Sequence, residues 1–310
     1  MLKEIWKKGL LVQDYRVAPY CPRCGTGLSD HELSQGYETV TDPSVFVRFK
    51  ATSGKVAELG ASYLVWTTTP WTLVSNTAIA VNPEVDYQIL EIEENEKVER
   101  IVVAAPLAEK FGEKRKVLLT LRGKDLEKES YSRPFDLVEI PNSHFILLAD
   151  YVTVEDGTGL VHQAPAFGAD DYQVCKRYGL PIVNPVLPDG HFEEKIPLIG
   201  GAFFKDADKT LVKDLKSRGL LFKQLQYEHS YPHCWRCGEG LIFRATNQWF
   251  CSLEHDNLKE RALDAIEKIN FFYYLNNNTT KSNYKVILWV ILWDFLIFMT
   301  EIIIIIMMMR

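Results

Sequence analysis

Apolar and polar residues alternate along much of the first half of the chain, beginning with Val45-Phe46-Val47-Arg48-Phe49. That period predicts strands over 45–49, 61–66, 77–81, 101–105 and 116–121, joined by Glu/Lys-rich connections. The pattern then changes period. Gly168-Ala169-Asp170-Asp171 opens a helix that runs to Tyr178, where Gly179 and Pro181 stop it. Ala207, Leu211, Val212 and Leu215 share one face of a second helix over 206–217. At the N-terminus, Met1 to Lys8 reads as the end of an amphipathic helix closed by Gly9, and it is too polar for a signal peptide. The prediction is a mainly β body with inserted helices, an α+β domain over 41–225. Two arms flank it, 1–40 and 226–270.

Residues 271–310 break the pattern. An Asn/Tyr-rich patch leads into 286–309, which is almost wholly apolar and ends in runs of Ile and Met. The length suits a membrane span. Asp294 near its middle and Glu301 argue against one, since a central Asp costs roughly 2.5–3.5 kcal/mol on insertion scales. The homopolymer runs also look like out-of-register translation. The expectation is a tail outside the fold, with no stable membrane contact.

Composition and charge narrow the function. The chain is 47% hydrophobic and 25% charged, enough to bury a core. Its net charge of −6 gives no support to a protein that coats nucleic acid through a basic field, so any RNA contact has to be local.

Four of the six cysteines fall into two matched knuckles, Tyr20-Cys21-Pro22-Arg23-Cys24-Gly25 and His233-Cys234-Trp235-Arg236-Cys237-Gly238. In each, a tight turn followed by Gly lets two thiolates converge, and two knuckles complete a closed tetrahedral zinc site. A redox C-x-x-C occurs singly rather than as a pair. Low cysteine density in a long chain points to a reducing, cytoplasmic setting. Four thiolates leave a metal no open position, so Cys21, Cys24, Cys234 and Cys237 read as structural ligands.

Two further segments carry candidate chemistry. Val65-Trp66-Thr67-Thr68-Thr69-Pro70-Trp71-Thr72-Leu73-Val74-Ser75-Asn76 gathers hydroxyls and an amide at one chain reversal, suited to holding a ribose or a water. Threonines at a strand end also have a plain reading as strand formers. Gly159-Leu160-Val161-His162-Gln163-Ala164-Pro165-Ala166-Phe167-Gly168-Ala169-Asp170-Asp171 sets a His at a strand exit and acids at the next helix start. Those acids also suit the helix dipole. The functional alternative places His162 and a carboxylate in one pocket, where the carboxylate pairs with an ammonium group.

These four motifs, in this order from residue 1 to about Asn270, resemble the editing region of isoleucyl-tRNA synthetases. Where the valyl and leucyl relatives have Thr-Thr-Arg-Pro, this chain has Thr69 before Pro70. The resemblance implies an editing-type β-barrel on a zinc-ribbon-like stem. It implies that Asp171 holds the ammonium group of a misattached valine and that His162 bars isoleucine. It also implies that Thr67, Thr68, Thr69 and Asn76 bind the terminal adenosine and position water. Isoleucine tRNA and its valine or isoleucine ester would be the partners of a monomer. Neither His-Ile-Gly-His nor Lys-Met-Ser-Lys-Ser occurs. On the resemblance, this is a piece that starts after the first signature and stops before the second. It would not bind ATP or make aminoacyl-adenylate alone. The rival expectation is an inert, zinc-stabilised tRNA-binding fragment.

Overall fold

A computed structural model describes residues 2–94, 97–112, 114–251, 253 and 257–268. The apolar tail lies outside the described residues. The strands are β1 Leu11–Cys21, β2 Thr26–Gly27, β3 Tyr37–Ala51, β4 Ser62–Thr67, β5 Ala78–Val81, β6 Asp86–Glu94 and β7 Lys97–Ala104. They continue with β8 Arg115–Arg122, β9 Tyr131–Ser132, β10 Phe145–Leu148, β11 Val161–Gln163, β12 Leu221–Pro232 and β13 Ile242–Cys251. The helices are α1 Leu2–Lys7, α2 Asp30–Ser34, α3 Gly54–Glu58, α4 Ala169–Arg177, α5 Phe204–Ser217 and α6 Leu258–Lys268. Among these, no helix is long and apolar enough to cross a membrane.

Two compact units divide the chain, one holding the two ends and the other Val17–Ala245. In the first, Trp6 packs against Trp249 with ring centroids 5.8 Å apart. The second carries every candidate site residue. The arm boundaries expected at 40 and 226 fall inside β3 and β12, which pair antiparallel from Tyr37–Pro232 to Val47–Leu221.

A seven-stranded sheet organises the larger unit in the order β12–β3–β4–β7–β6–β8, with β9 paired to the end of β3. Val45, Phe46 and Val47 of β3 and Tyr63, Leu64 and Val65 of β4 are all buried, so both faces of these central strands are covered. An unbroken apolar run is what such burial requires. β6 lies in what looked like a charged connection. Its Tyr87, Ile89, Leu90 and Ile92 are buried, so both faces of this strand are covered as well, and the register shift beside Ile89/Leu90 leaves Leu118 of β8 as the extra residue.

The sheet corrects the barrel expectation. Among the described residues it stays open, with largely exposed β12 at one edge and β8 at the other. The cause lies after β4. A 3-10 turn over Pro70–Ser75 carries the chain out of this sheet, and β5 becomes the centre of a second one, β10–β5–β11. β5 is parallel to β10 and antiparallel to β11, and all four of its residues are buried. This small sheet sets the threonine segment beside the His162 segment.

Candidate active site

Pro70 starts the 3-10 turn because its fixed φ suits the first helical position and it has no N–H to lose. Thr69 therefore ends an extended stretch and Thr72 sits one turn on. The Thr67 hydroxyl accepts the Thr69 N–H at 3.1 Å and lies 3.3 Å from the Thr69 hydroxyl, which lies 3.1 Å from that of Thr72. Thr68 is half-buried and takes no part in this chain of hydroxyls.

The second wall meets the first at a hydrogen bond. His162 Nε2 lies 2.9 Å from Thr72 Oγ1, and the Thr72 hydroxyl donates to the Thr69 carbonyl at 2.8 Å. One hydroxyl carries one proton, so His162 Nε2 is the donor in that arrangement and Nδ1 holds a free lone pair. His162 Nδ1 is buried with no partner among the described residues. Burial pushes the imidazole down to about 4, so it is neutral at pH 7. Trp71 joins the walls again, edge-on to Phe167 at 4.7 Å and to Phe204 of α5 at 4.9 Å.

Asp171, in the first turn of α4, reaches back so that Oδ2 accepts the Ala164 N–H at 2.8 Å. Gly168 makes room, since a Cβ there would fall 2.6 Å from Asp171 Cγ. Burial pushes the carboxyl up to about 6, opposed by the Ala164 N–H and reinforced by Asp170. No cation of the described residues pairs with it. An uncompensated carboxylate that costs stability is a candidate for holding a positive ligand.

Asn76 departs from expectation. It is fully buried, Nδ2 donates to the Ala78 carbonyl at 2.9 Å, and Oδ1 accepts the Tyr131 hydroxyl at 2.7 Å. Both ends are used inside the fold, so it braces the exit of the 3-10 turn rather than facing a ligand.

Sequence reasoning missed Asp208. On α5 it reads as one more polar residue, yet it is buried and Oδ1 accepts the Trp71 N–H at 2.7 Å. Burial pushes its carboxyl up to about 8, with the Trp71 N–H opposing, Asp42 adding and Lys205 opposing. A buried acid raised above its ordinary value stabilises the fold below that value, and the contribution is lost as pH rises through about 8. Asp208→Asn keeps an acceptor for Trp71 but does not ionise. We expect the parent chain to lose more thermal stability between pH 5 and pH 9 than Asp208→Asn. Parallel melting curves contradict this assignment.

The cysteine knuckles come together in the same unit. All four sulfurs lie within 4.8 Å of one another, Cys21 and Cys234 buried and Cys24 and Cys237 half-buried. Cys21 and Cys237 Sγ are 3.5 Å apart, and the Cys24 N–H points to Cys21 Sγ at 3.3 Å. A tetrahedron with metal–sulfur bonds of about 2.3 Å needs sulfurs roughly 3.8 Å apart, so the set fits a four-thiolate ion. Gly25 and Gly238 take positive φ just past each knuckle. Gly36 is required where the chains cross, because a Cβ there would lie 1.9 Å from the His233 carbonyl oxygen.

Residues 1–291 match the family profile of the tRNA synthetases class I (I, L, M and V). The isoleucine–tRNA ligase of Streptomyces coelicolor is 58% identical over 274 residues, covering 87% of this chain and 26% of that protein. That of Thermobifida fusca is 59% identical over 273 residues, covering 87% of this chain and 25% of that protein. The chain thus spans about a quarter of the length of these curated relatives. Its fold overlaps loosely with the P. knowlesi cytosolic leucyl-tRNA synthetase editing domain. The TM-score is 0.45 at 10% identity, covering 61% of this chain and 98% of that one.

Proposed function

We propose, from the premise that this chain belongs to the class I tRNA synthetases of the isoleucine, leucine, methionine and valine group, that residues 41–225 form a proofreading site. That site hydrolyses valine wrongly esterified to isoleucine tRNA. The observation that carries the reading is the junction of the two walls at His162 and Thr72, 2.9 Å apart. No cation of the described residues meets the Asp171 carboxylate, and His162 Nδ1 has no partner among them.

Each group then has a task. The Asp171 carboxylate pairs with the ammonium group of the amino acid. Thr67, Thr68 and Thr69 hold the ribose and a water, while Asn76 keeps their turn in place. His162, neutral and fixed by Thr72, fills space that a larger side chain needs. An aminoacyl ester is already activated, so positioning a water suffices. Such a second site answers a limit on selection. One methylene in an apolar pocket is worth about 1–3 kcal/mol, isoleucine against valine being this family's standing example.

Cys21, Cys24, Cys234 and Cys237 would hold a structural zinc, forming a zinc-ribbon-like stem. Closed by four thiolates, that ion would brace the knuckles rather than touch substrate. Aminoacylation with ATP belongs to the complete synthetase in this reading. The partners are isoleucine tRNA and its valine or isoleucine ester.

Selectivity tests the reading. His162→Ala removes the ring but leaves Asp171 in place. We expect it to cleave isoleucyl-tRNA that the parent spares, with valyl-tRNA cleavage kept within a few-fold. A variant that loses valyl cleavage and gains no isoleucyl cleavage makes His162 a catalytic support and contradicts the size-exclusion role.

A further inference from the structure

A helical turn begins with N–H groups that its own backbone cannot pair, and the N-cap side chain ordinarily accepts one of them. In the turn Pro70–Ser75 the N-cap is Thr69, yet its hydroxyl makes no capping bond. Pro70 has no N–H, so the first donor left over is that of Trp71. Asp208 accepts it from another element, through Oδ1 at 2.7 Å and across 137 residues of chain. We propose that Asp208 is a positioning residue of the deacylation site. It caps the threonine turn in place of Thr69, and so keeps the Thr69 hydroxyl in the chain of hydroxyls that ends on His162. This inference rests on the proofreading reading of that site.

The hold on Trp71 is double. Phe204 and Asp208 stand four residues apart on one face of α5. The Phe204 ring meets the Trp71 ring at 4.9 Å, while the Asp208 carboxyl takes the N–H of the same residue. Trp71 and Asp208 are both buried, so an N–H deprived of this acceptor has no ready solvent partner.

The Thr69 hydroxyl is engaged elsewhere. It lies 3.3 Å from the Thr67 hydroxyl and 3.1 Å from that of Thr72, whose Oγ1 is 2.9 Å from His162 Nε2. A capping threonine accepts from the second or third N–H of its helix, and Trp71 is the second. Without Asp208, the nearest substitute acceptor is therefore the Thr69 hydroxyl. Turning to the Trp71 N–H means changing rotamer, which takes the oxygen out of the line that reaches His162. The site then loses a hydroxyl although no residue facing the substrate has been replaced.

Single-turnover deacylation of valyl-tRNA by the full chain tests the proposal. Asp208→Ala removes the acceptor and Asp208→Glu moves it by one methylene; each should slow the reaction at least about fivefold. Burial pushes the Asp208 carboxyl up to about 8, so it is neutral at pH 7 and the amide of Asp208→Asn reproduces it. That variant should stay within about twofold of the parent. Thr69→Val should slow the parent chain yet add little to Asp208→Ala, because the hydroxyl has already left; independent effects would multiply. Leu215→Ala, a buried deletion farther along α5, should lower the melting temperature and keep the rate, which separates lost stability from lost position. If Asp208→Ala fails to fold, Asp208→Glu carries the test. The His162 ring resonances need no substrate. They should move in Asp208→Ala and Asp208→Glu and hold in Asp208→Asn. If the parent leaves valyl-tRNA intact, the proofreading reading fails and these resonances alone decide whether Asp208 sets the turn. Parental rates in Asp208→Ala and Asp208→Glu, losses that multiply with Thr69→Val, or an unmoved His162 ring overturn the proposal.

Discussion

Asp171→Ala should deacylate valyl-tRNA specific for isoleucine at least tenfold more slowly than the parent chain. Truncating one partner of a partly desolvated charged pair costs roughly 2–5 kcal/mol, and every 1.4 kcal/mol is about tenfold in rate. The fold should persist, since a first-turn acid is worth about 0.3–1 kcal/mol to its helix.

Asp171→Asn separates function from stability. The amide oxygen can still accept the Ala164 N–H, while the cost of ionising a buried carboxyl disappears. With the carboxyl raised from an ordinary 3.8 to about 6, that cost is about 3 kcal/mol at most. The sign follows from linkage. A raised acid favours the fold at low pH, and that stability is lost as pH rises from about 4 through about 6. Asp171→Asn should therefore melt higher than the parent above pH 6, with the gap closing towards pH 4, and yet deacylate slowly. In the parent, deacylation corrected for spontaneous hydrolysis should rise with pH through about 6 as the carboxylate forms. A variant that melts lower and deacylates normally makes Asp171 a helix cap alone.

The second large effect concerns the cysteines. Purified chain should carry one tightly held zinc, and Cys21→Ser or Cys237→Ser should each abolish it. Structural zinc contributes about 10–16 kcal/mol to zinc-finger folding, so its loss should loosen the knuckles wholesale. Limited proteolysis should then cut near 20–36 and 231–241 well before it reaches β3–β7. The thiolate ligands must be deprotonated, so the metal should leave as pH falls. Metal analysis finding no zinc, or zinc surviving both substitutions, contradicts the four-cysteine ligand set.

Much of this was legible in the residues themselves. The two knuckles repeat one local plan, and their sulfurs converge. Thr67 to Thr72 and His162 to Asp171 advertised themselves by residue type at chain reversals, and the two segments meet at Thr72 and His162. What failed to show depended on partners distant in sequence. Asn76 looked like a ligand group because nothing nearby reveals that Tyr131, fifty-five residues later, takes its amide oxygen. Asp208 looked solvated because its partner is a backbone N–H on another element. The open sheet was hidden for the same reason, since closure depends on whether β12 and β8 meet, and alternation within a strand says nothing about its neighbour.

The central claim is that this chain removes valine from isoleucine tRNA. The most direct measurement is single-turnover deacylation at high protein concentration, with valyl and isoleucyl esters of the same tRNA run in parallel. The account predicts that the parent chain hydrolyses the valyl ester well above the spontaneous rate and leaves the isoleucyl ester at that rate. If the two esters decay equally, or if tRNA binds and neither ester is cleaved, the chain is a zinc-stabilised tRNA-binding module and the proofreading assignment is wrong.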